Sequence, residues 1–175
     1  LDMLLYNMHK LLPSPEHNSV LAEDANGDPV ELNCAESDPT VAYVFKTVAD
    51  PFVGKLSYLR VISGKITAGA SLVNARTGET EKLGRLYIPK GKKYTEVKEL
   101  TCGDIGAIAK MDKVKTGDTL CDSRKVVALK GIPFAEPCYS VAIAPKTRGQ
   151  DDKVAQGLNR LNEEDPSFSV VNNAE

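Results

Sequence analysis

Between residues 41 and 121 the chain is a succession of short runs with a hydrophobic period of two, most of them closed by a glycine-containing turn. Val41, Tyr43 and Phe45 alternate with Ala42, Val44 and Lys46. After Asp50-Pro-Phe-Val-Gly54, Leu56, Tyr58, Arg60 and Ile62 alternate with Lys55, Ser57, Leu59 and Val61. Ser63-Gly64 reads as a tight hairpin turn. Further β runs are expected at 65–67, 70–74, 81–88, 95–100, 105–111 and 119–121, punctuated by Thr77-Gly78, Cys102-Gly-Asp104 and Thr116-Gly-Asp118. Short strands at roughly ten-residue spacing predict an antiparallel barrel or sandwich. Medium-sized interior candidates (Val, Ile, Leu, Ala) favour a barrel of six or more strands, placed over residues 39–127.

The flanks follow different periods. Leu1, Leu4, Leu5, Met8, Leu11 and Leu12 share one stripe of an N-terminal α-helix that Pro13 and Pro15 end. A stripe that apolar needs a cover. Residues 14–38 are rich in turn formers and acids and read as linker, so 1–38 is taken as helix plus acidic linker. Beyond 128, residues 138–144 read as a strand, Thr147-x-x-Gln150 has capping-box spacing, and Val154, Leu158 and Leu161 line one helical face up to Asp165-Pro166. Residues 168–171 resume β. Residues 128–175 thus resemble the first half of a split βαβ unit, an incomplete ferredoxin-like domain. With Leu1 rather than Met in front, the chain reads as a piece of something longer.

Composition excludes several classes. Hydrophobic residues at 42% and charged residues at 26% are a globular balance, not that of a disordered, collagenous or disulfide-dense chain. No apolar run approaches the roughly 18 residues of a membrane helix, and no secretory signal is visible, which argues for a cytoplasmic protein with no membrane partner. Net charge is −2, but it is unevenly spread. Residues 1–38 hold eight acids against Lys10, a net of −7, leaving 21 bases and 16 acids, a net of +5, in 39–175.

Little in the chain suggests catalysis. Cys34, Cys102, Cys121 and Cys138 form no C-x-x-C pair, and only His9 and His17 could join them, so buried thiols are expected rather than a metal site. Gly54-Lys55, Gly64-Lys65 and Gly91-Lys92 lack the earlier glycine and the following Ser/Thr of a phosphate-binding loop. Neither a G-x-S-x-G elbow nor H-E-x-x-H is present. Asp104, Asp118, Asp151 and Asp152 are read as turn formers and helix starters. No catalytic, cofactor or metal residue is therefore assigned. The one concentration of charge is Lys82, Arg85, Lys90, Lys92, Lys93 and Lys98 against Glu96, with Tyr87 and Tyr94 interleaved. On a hairpin looping through Pro89-Lys-Gly-Lys-Lys-Tyr94, these amines can reach an RNA backbone while a tyrosine stacks. The same lysines would also protect an exposed sheet edge.

At these residues a family resemblance emerges. Val44-Phe-Lys-Thr-Val-Ala-Asp-Pro-Phe-Val-Gly54, Leu59-Arg-Val-Ile-Ser-Gly64 and Thr67-Ala-Gly69 resemble the second domain of bacterial elongation factor G. Leu100-Thr-Cys-Gly-Asp-Ile-Gly-Ala107 and Thr116-Gly-Asp-Thr-Leu120 match later strands of that translation-protein barrel. Val141-Ala-Ile-Ala-Pro-Lys146 and Leu161-Asn-Glu-Glu-Asp-Pro-Ser-Phe168 resemble the opening of its third domain, and Leu12-Pro-Ser-Pro15 the last helix of its GTPase domain. The resemblance implies a translational GTPase that drives ribosomal translocation, with the barrel docked on small-subunit RNA and the third domain against the GTPase switches. It implies GTP and Mg for the parent protein, none for these residues, no DNA, and a switch interface at Asp165, Pro166 and Ser167. A tetracycline ribosome-protection protein or peptide-chain release factor of the same superfamily would share this architecture. A stand-alone binding barrel is the remaining alternative.

Overall fold

The computed structural model describes residues 19–50, 53–91, 93–147 and 149–171. The expected N-terminal helix with its leucine stripe, His9, His17 and Lys92 lie outside the described residues. The rest is mainly β and antiparallel, as the alternation implied: strands β1 (Val20–Asp24), β2 (Pro29–Leu32), β3 (Val41–Asp50), β4 (Gly54–Ser63), β5 (Lys65–Thr67), β6 (Ser71–Asn74), β7 (Thr80–Lys82), β8 (Leu86–Lys90), β9 (Lys93–Val97), β10 (Glu99–Thr101), β11 (Ile105–Ala109), β12 (Thr119–Cys121) and β13 (Val127–Leu129), then one helix, α1 (Asp151–Glu164).

Eight strands form one sheet in the order β7-β6-β12-β3-β4-β11-β8-β9, and β5 pairs with β10. The long β3–β4 hairpin is its spine, bulged between Val44 and Lys46. A flat sheet would hold β6 and β8 about 24 Å apart at the usual strand spacing. Here Leu72 of β6, Leu86 of β8, Ile66 of β5 and Leu100 of β10 belong to one core cluster with Val44, Leu59, Val61, Ile108 and Leu120. The Ala68 amide, just before β6, donates to the Lys98 carbonyl, just after β9, at 2.9 Å. The sheet therefore wraps around its core, with the β5–β10 ladder drawing its two ends together. The main core cluster contains no aromatic side chain, as the residue sizes predicted.

Several expectations are corrected. Ser63-Gly64 is a corner, not a hairpin turn, because β5 leaves the large sheet to pair with β10. Gly64 has φ 70° and passes so close to the neighbouring chain that an added Cβ would meet the Asp38 carbonyl oxygen at 2.6 Å. The single run expected at 81–88 breaks into β7 and β8, since Leu83 turns into the core and its amide bonds the Ala70 carbonyl at 2.8 Å. The run at 95–100 likewise divides between two sheets.

Residues 20–32, read as linker, form the β1–β2 hairpin, and β1 also pairs with β13, a strand that the local pattern does not announce. The turn formers are the hairpin's own turn: Gly27 has φ 87°, and Asp24 Oδ1 accepts from the amides of Asn26 at 2.8 Å and Asp28 at 3.0 Å. Ala22, Leu32, Val41, Cys121 and Val127 make a second small core that fastens this sheet to the barrel. Of the expected βαβ segment, only α1 forms a regular element among the described residues. Residues 138–144 and 168–171 form no regular element, and Tyr139 is 84% and Val171 83% exposed. Gln150, not Thr147, stands at the N-cap position and makes no side-chain capping bond; Gly149 before it has φ 80°.

Candidate nucleic-acid interface

The β8–β9 hairpin pairs Leu86 with Val97, Ile88 with Thr95 and Lys90 with Lys93 on one face, and Tyr87 with Glu96 and Pro89 with Tyr94 on the other. Opposite residues share a face, and faces alternate along the strand. The first face roots in the main core through Leu86, Ile88 and Val97. The second packs Tyr87 and Tyr94 against Leu56, Ala107, Ala109 and Tyr58. Alanines on β11, which lies between β4 and β8, let the Tyr58 and Tyr94 hydroxyls meet at 3.1 Å. Tyr87 and Tyr94 contact edge to face at 6.3 Å, and so do Phe45 and Tyr58 at 6.4 Å. Burial first, then the bond to Tyr94, pushes the Tyr58 phenol up to about 12. With both faces anchored, the hairpin holds Lys90 and Lys93 at its tip, beside Gly91 with φ 61°.

Lys90 and Lys93 are opposite one another and exposed, as are Lys82, Arg85 and Lys98. The six predicted contacts do not all share this hairpin. Lys82 ends β7, at the other end of the sheet order, and Lys98 lies between β9 and β10. Arg85 precedes β8 and faces Glu96, 3.7 Å away, so part of its charge is already matched. Tyr87 and Tyr94 are half-buried, with their rings committed to the sheet surface. Among the described residues no carboxylate forms an ion pair with Lys90 or Lys93, which place two positive charges side by side at the hairpin tip.

Asp165, Pro166 and Ser167 follow α1. Asp165 closes the helix through its amide to the Leu161 carbonyl at 2.8 Å. Its Oδ1 accepts from the Ser167 amide at 2.9 Å. Hydrogen bonds from the Ser167 side chain and amide hold the Asp165 carboxyl below its ordinary value. Asp165 and Pro166 are exposed. The preceding residues tie the helix to the spine: Glu163 lies 3.7 Å from Lys55, and Glu164 Oε1 accepts from the Ala49 amide.

One polar centre has no local signature in the sequence. Asp118, taken as a turn former, accepts from the Lys115 amide at 2.9 Å, but also from Asn74 Nδ2 at 2.8 Å, Arg76 Nε at 2.6 Å and Arg76 Nη2 at 2.9 Å. Burial alone would raise its carboxyl; Arg76, the Lys115 amide and Asn74 outweigh that and hold it low. Nothing nearby in the chain links Thr116-Gly-Asp118 to the β6 end more than 40 residues earlier. Asp104 behaves as read, accepting from the Thr101 amide at 2.9 Å, and Asp151 and Asp152 sit in the first turn of α1. Of the four cysteines only Cys121 is buried; Cys34 and Cys102 are half-buried and Cys138 is exposed, so the expectation of buried thiols holds for one.

Comparison with known proteins matches residues 39–123 to the family model "Elongation factor G domain 2" and residues 134–175 to "Elongation Factor G, domain III". The elongation factor G of Dehalococcoides mccartyi is 40% identical over 161 residues, covering 91% of this chain and 23% of the relative. That of Ureaplasma urealyticum is 38% identical over 165 residues, covering 94% of this chain and 24% of the relative. A crystal structure of a Thermus thermophilus protein superposes with a TM-score of 0.65 at 31% identity, over 79% of this chain and 21% of that one. The chain thus spans about a quarter of the length of these curated relatives.

Proposed function

Because the chain belongs to the elongation factor G family, we propose that it serves in the cytoplasm as the ribosome-docking and signal-relaying part of a translational GTPase that promotes translocation. The observation that carries this reading is the ordered match of both domain models along one chain, residues 39–123 then 134–175. In this reading the barrel rests on small-subunit RNA through Lys90, Lys92 and Lys93, with Lys82, Arg85 and Lys98 contributing from the neighbouring segments. Asp165, Pro166 and Ser167 face the GTPase domain of the same protein, where nucleotide state is sensed.

These residues do not fit GTP and Mg themselves. Each Gly-Lys pair lacks the backbone nest and the metal-binding hydroxyl, so nucleotide chemistry belongs to the GTPase domain and this chain's contribution is positioning. An ammonium at the hairpin tip neutralises a phosphate and releases a counterion, which makes docking salt-dependent.

Filter binding to small ribosomal subunits over a salt series tests this. Log affinity should fall against log salt by about 0.7–0.9 per phosphate neutralised, and Lys90→Glu with Lys93→Glu should reduce that slope by roughly two contacts. Binding that ignores both salt and these substitutions would overturn the assignment.

A further inference from the structure

Cys34 and Cys102 are far apart in sequence and meet in the fold. Cys34 lies on the connector between β2 and β3, and the next residue's carbonyl, Ala35 O, accepts from the Gly64 amide at 2.9 Å. Cys102 lies in the β10–β11 turn, and the next residue's amide, Gly103 N, donates to the Val61 carbonyl at 2.7 Å. Thr101 also pairs with Lys65, so both segments are pinned at the Gly64 corner that ends β4, and the two thiols lie close enough to influence one another. Both remain half-buried and free. Cys121 is different: it is sealed in the small core, with its sulfur toward the Val73 and Val127 carbonyls.

We propose that Cys34 and Cys102 are a redox-responsive thiol pair that a hydroperoxide closes to a disulfide, stapling the segment that carries the β1–β2 hairpin to the barrel. The two sulfurs have unequal roles. Burial, then the neighbouring Cys34 side chain, then the charge of Glu36, push the Cys102 thiol up to about 11. Cys102 thus stays protonated at neutral pH and is a poor first nucleophile, which leaves the opening attack to Cys34.

Cys34 attacks one peroxide oxygen, the O–O bond breaks, and sulfenic acid and water result (an alcohol if the peroxide is organic). The Cys102 sulfur then attacks the Cys34 sulfur, the S–S bond forms, the S–O bond breaks, and the Cys102 proton leaves with the hydroxyl as a second water. Two thiols lose two electrons and two protons; the peroxide takes both. The bond closes a long loop across two of the structure's sheets, so it restrains the connector that joins the hairpin to β3. This proposal does not depend on ribosome docking, and its test uses no ribosome.

The full chain and its Cys138→Ser variant, the latter lacking the exposed competing thiol, are treated with one equivalent of hydrogen peroxide, quenched with an alkylating agent and mapped by tryptic mass spectrometry. The expected product is the Cys34 peptide joined to the Cys102 peptide, two hydrogens lighter than their sum and separated by dithiothreitol. Recovery of both cysteines alkylated, or of either linked chiefly to Cys121, would overturn the proposal. In Cys102→Ser, Cys34 should accumulate a dimedone-trappable sulfenic acid, whereas Cys34→Ser should trap none at Cys102. The reverse pattern would refute the assigned roles.

Discussion

Removing the Asp118 carboxylate should cost far more than its place in a turn suggests. Its side chain is 3% exposed while that of Arg76 is 47% exposed. In Asp118→Ala the guanidinium stays largely hydrated, so its share is that of a partly screened pair, about 1 kcal/mol. Asn74 is fully buried, and its Nδ2 would lose its acceptor, as would the Lys115 amide. An orphaned buried donor costs about 1–3 kcal/mol, which brings the total to about 3 kcal/mol and the expected fall in thermal midpoint to roughly 6–12 °C. Asp118→Asn keeps the oxygen that serves Asn74, Arg76 Nη2 and Lys115 but sets an amide against Arg76 Nε, so it should cost about half as much. The native carboxyl sits below its usual 3.8. Its contribution is therefore complete above that value and is lost as pH falls through the lower folded one. Denaturant melts at pH 7 and down to pH 2 check both points. A change under 0.5 kcal/mol for Asp118→Ala, or an acid limb in Asp118→Asn as steep as in the native chain, would refute this account.

Gly64→Ala combines positive φ with Cβ contacts of 2.6–2.8 Å to the backbone of Asp38 and Thr40, so it should lower stability by about 3 kcal/mol or more and be visible as lost soluble yield or a sharply lower melting point. Gly106→Ala would place its Cβ 2.3 Å from Leu100 Cδ1, a side chain that can be cut back; in a double-mutant cycle, adding Leu100→Ala should cost clearly less than the two single changes summed. Spectroscopic titration of the tyrosines should show a late ionisation near pH 12 that Tyr58→Phe removes, with at most about 1 kcal/mol lost.

The parts of the fold that were legible share one property: their evidence is local. The β3–β4 hairpin, β11 and β12 announce themselves because alternation and turn chemistry occupy the same few residues. The β1–β2 hairpin was hidden because only two of its positions, Ala22 and Leu32, are fully buried, and because its partner β13 is about 100 residues away. Gly64 signalled a positive φ but not which strand would follow it into pairing. The site divided the same way. Lysine density was readable, whereas the placing of Lys82 on β7 rather than on the β8–β9 hairpin, the matching of Arg85 by Glu96, and the Arg76–Asp118 pair are products of strand order and register.

The βαβ segment shows what happens when a local pattern is present and its partner is not. Residues 138–144 alternate as a strand should, yet Tyr139, Val141 and Ile143 are 84%, 68% and 61% exposed, and no described strand pairs with them. An unpaired strand gains no ladder and buries no face, so irregular hydrated backbone costs less than an isolated β edge. α1 has no fully buried residue and is held to the barrel by Glu163 near Lys55 and Glu164 at the Ala49 amide. Exposed or half-exposed polar ties of this kind contribute about 1 kcal/mol or less each. The barrel, by contrast, keeps Leu56, Leu59, Leu86 and Leu100 fully out of water. Burying each such side chain stabilises by roughly 1.5–3 kcal/mol. Helix α1 should therefore detach from the barrel at a much smaller cost than any barrel strand.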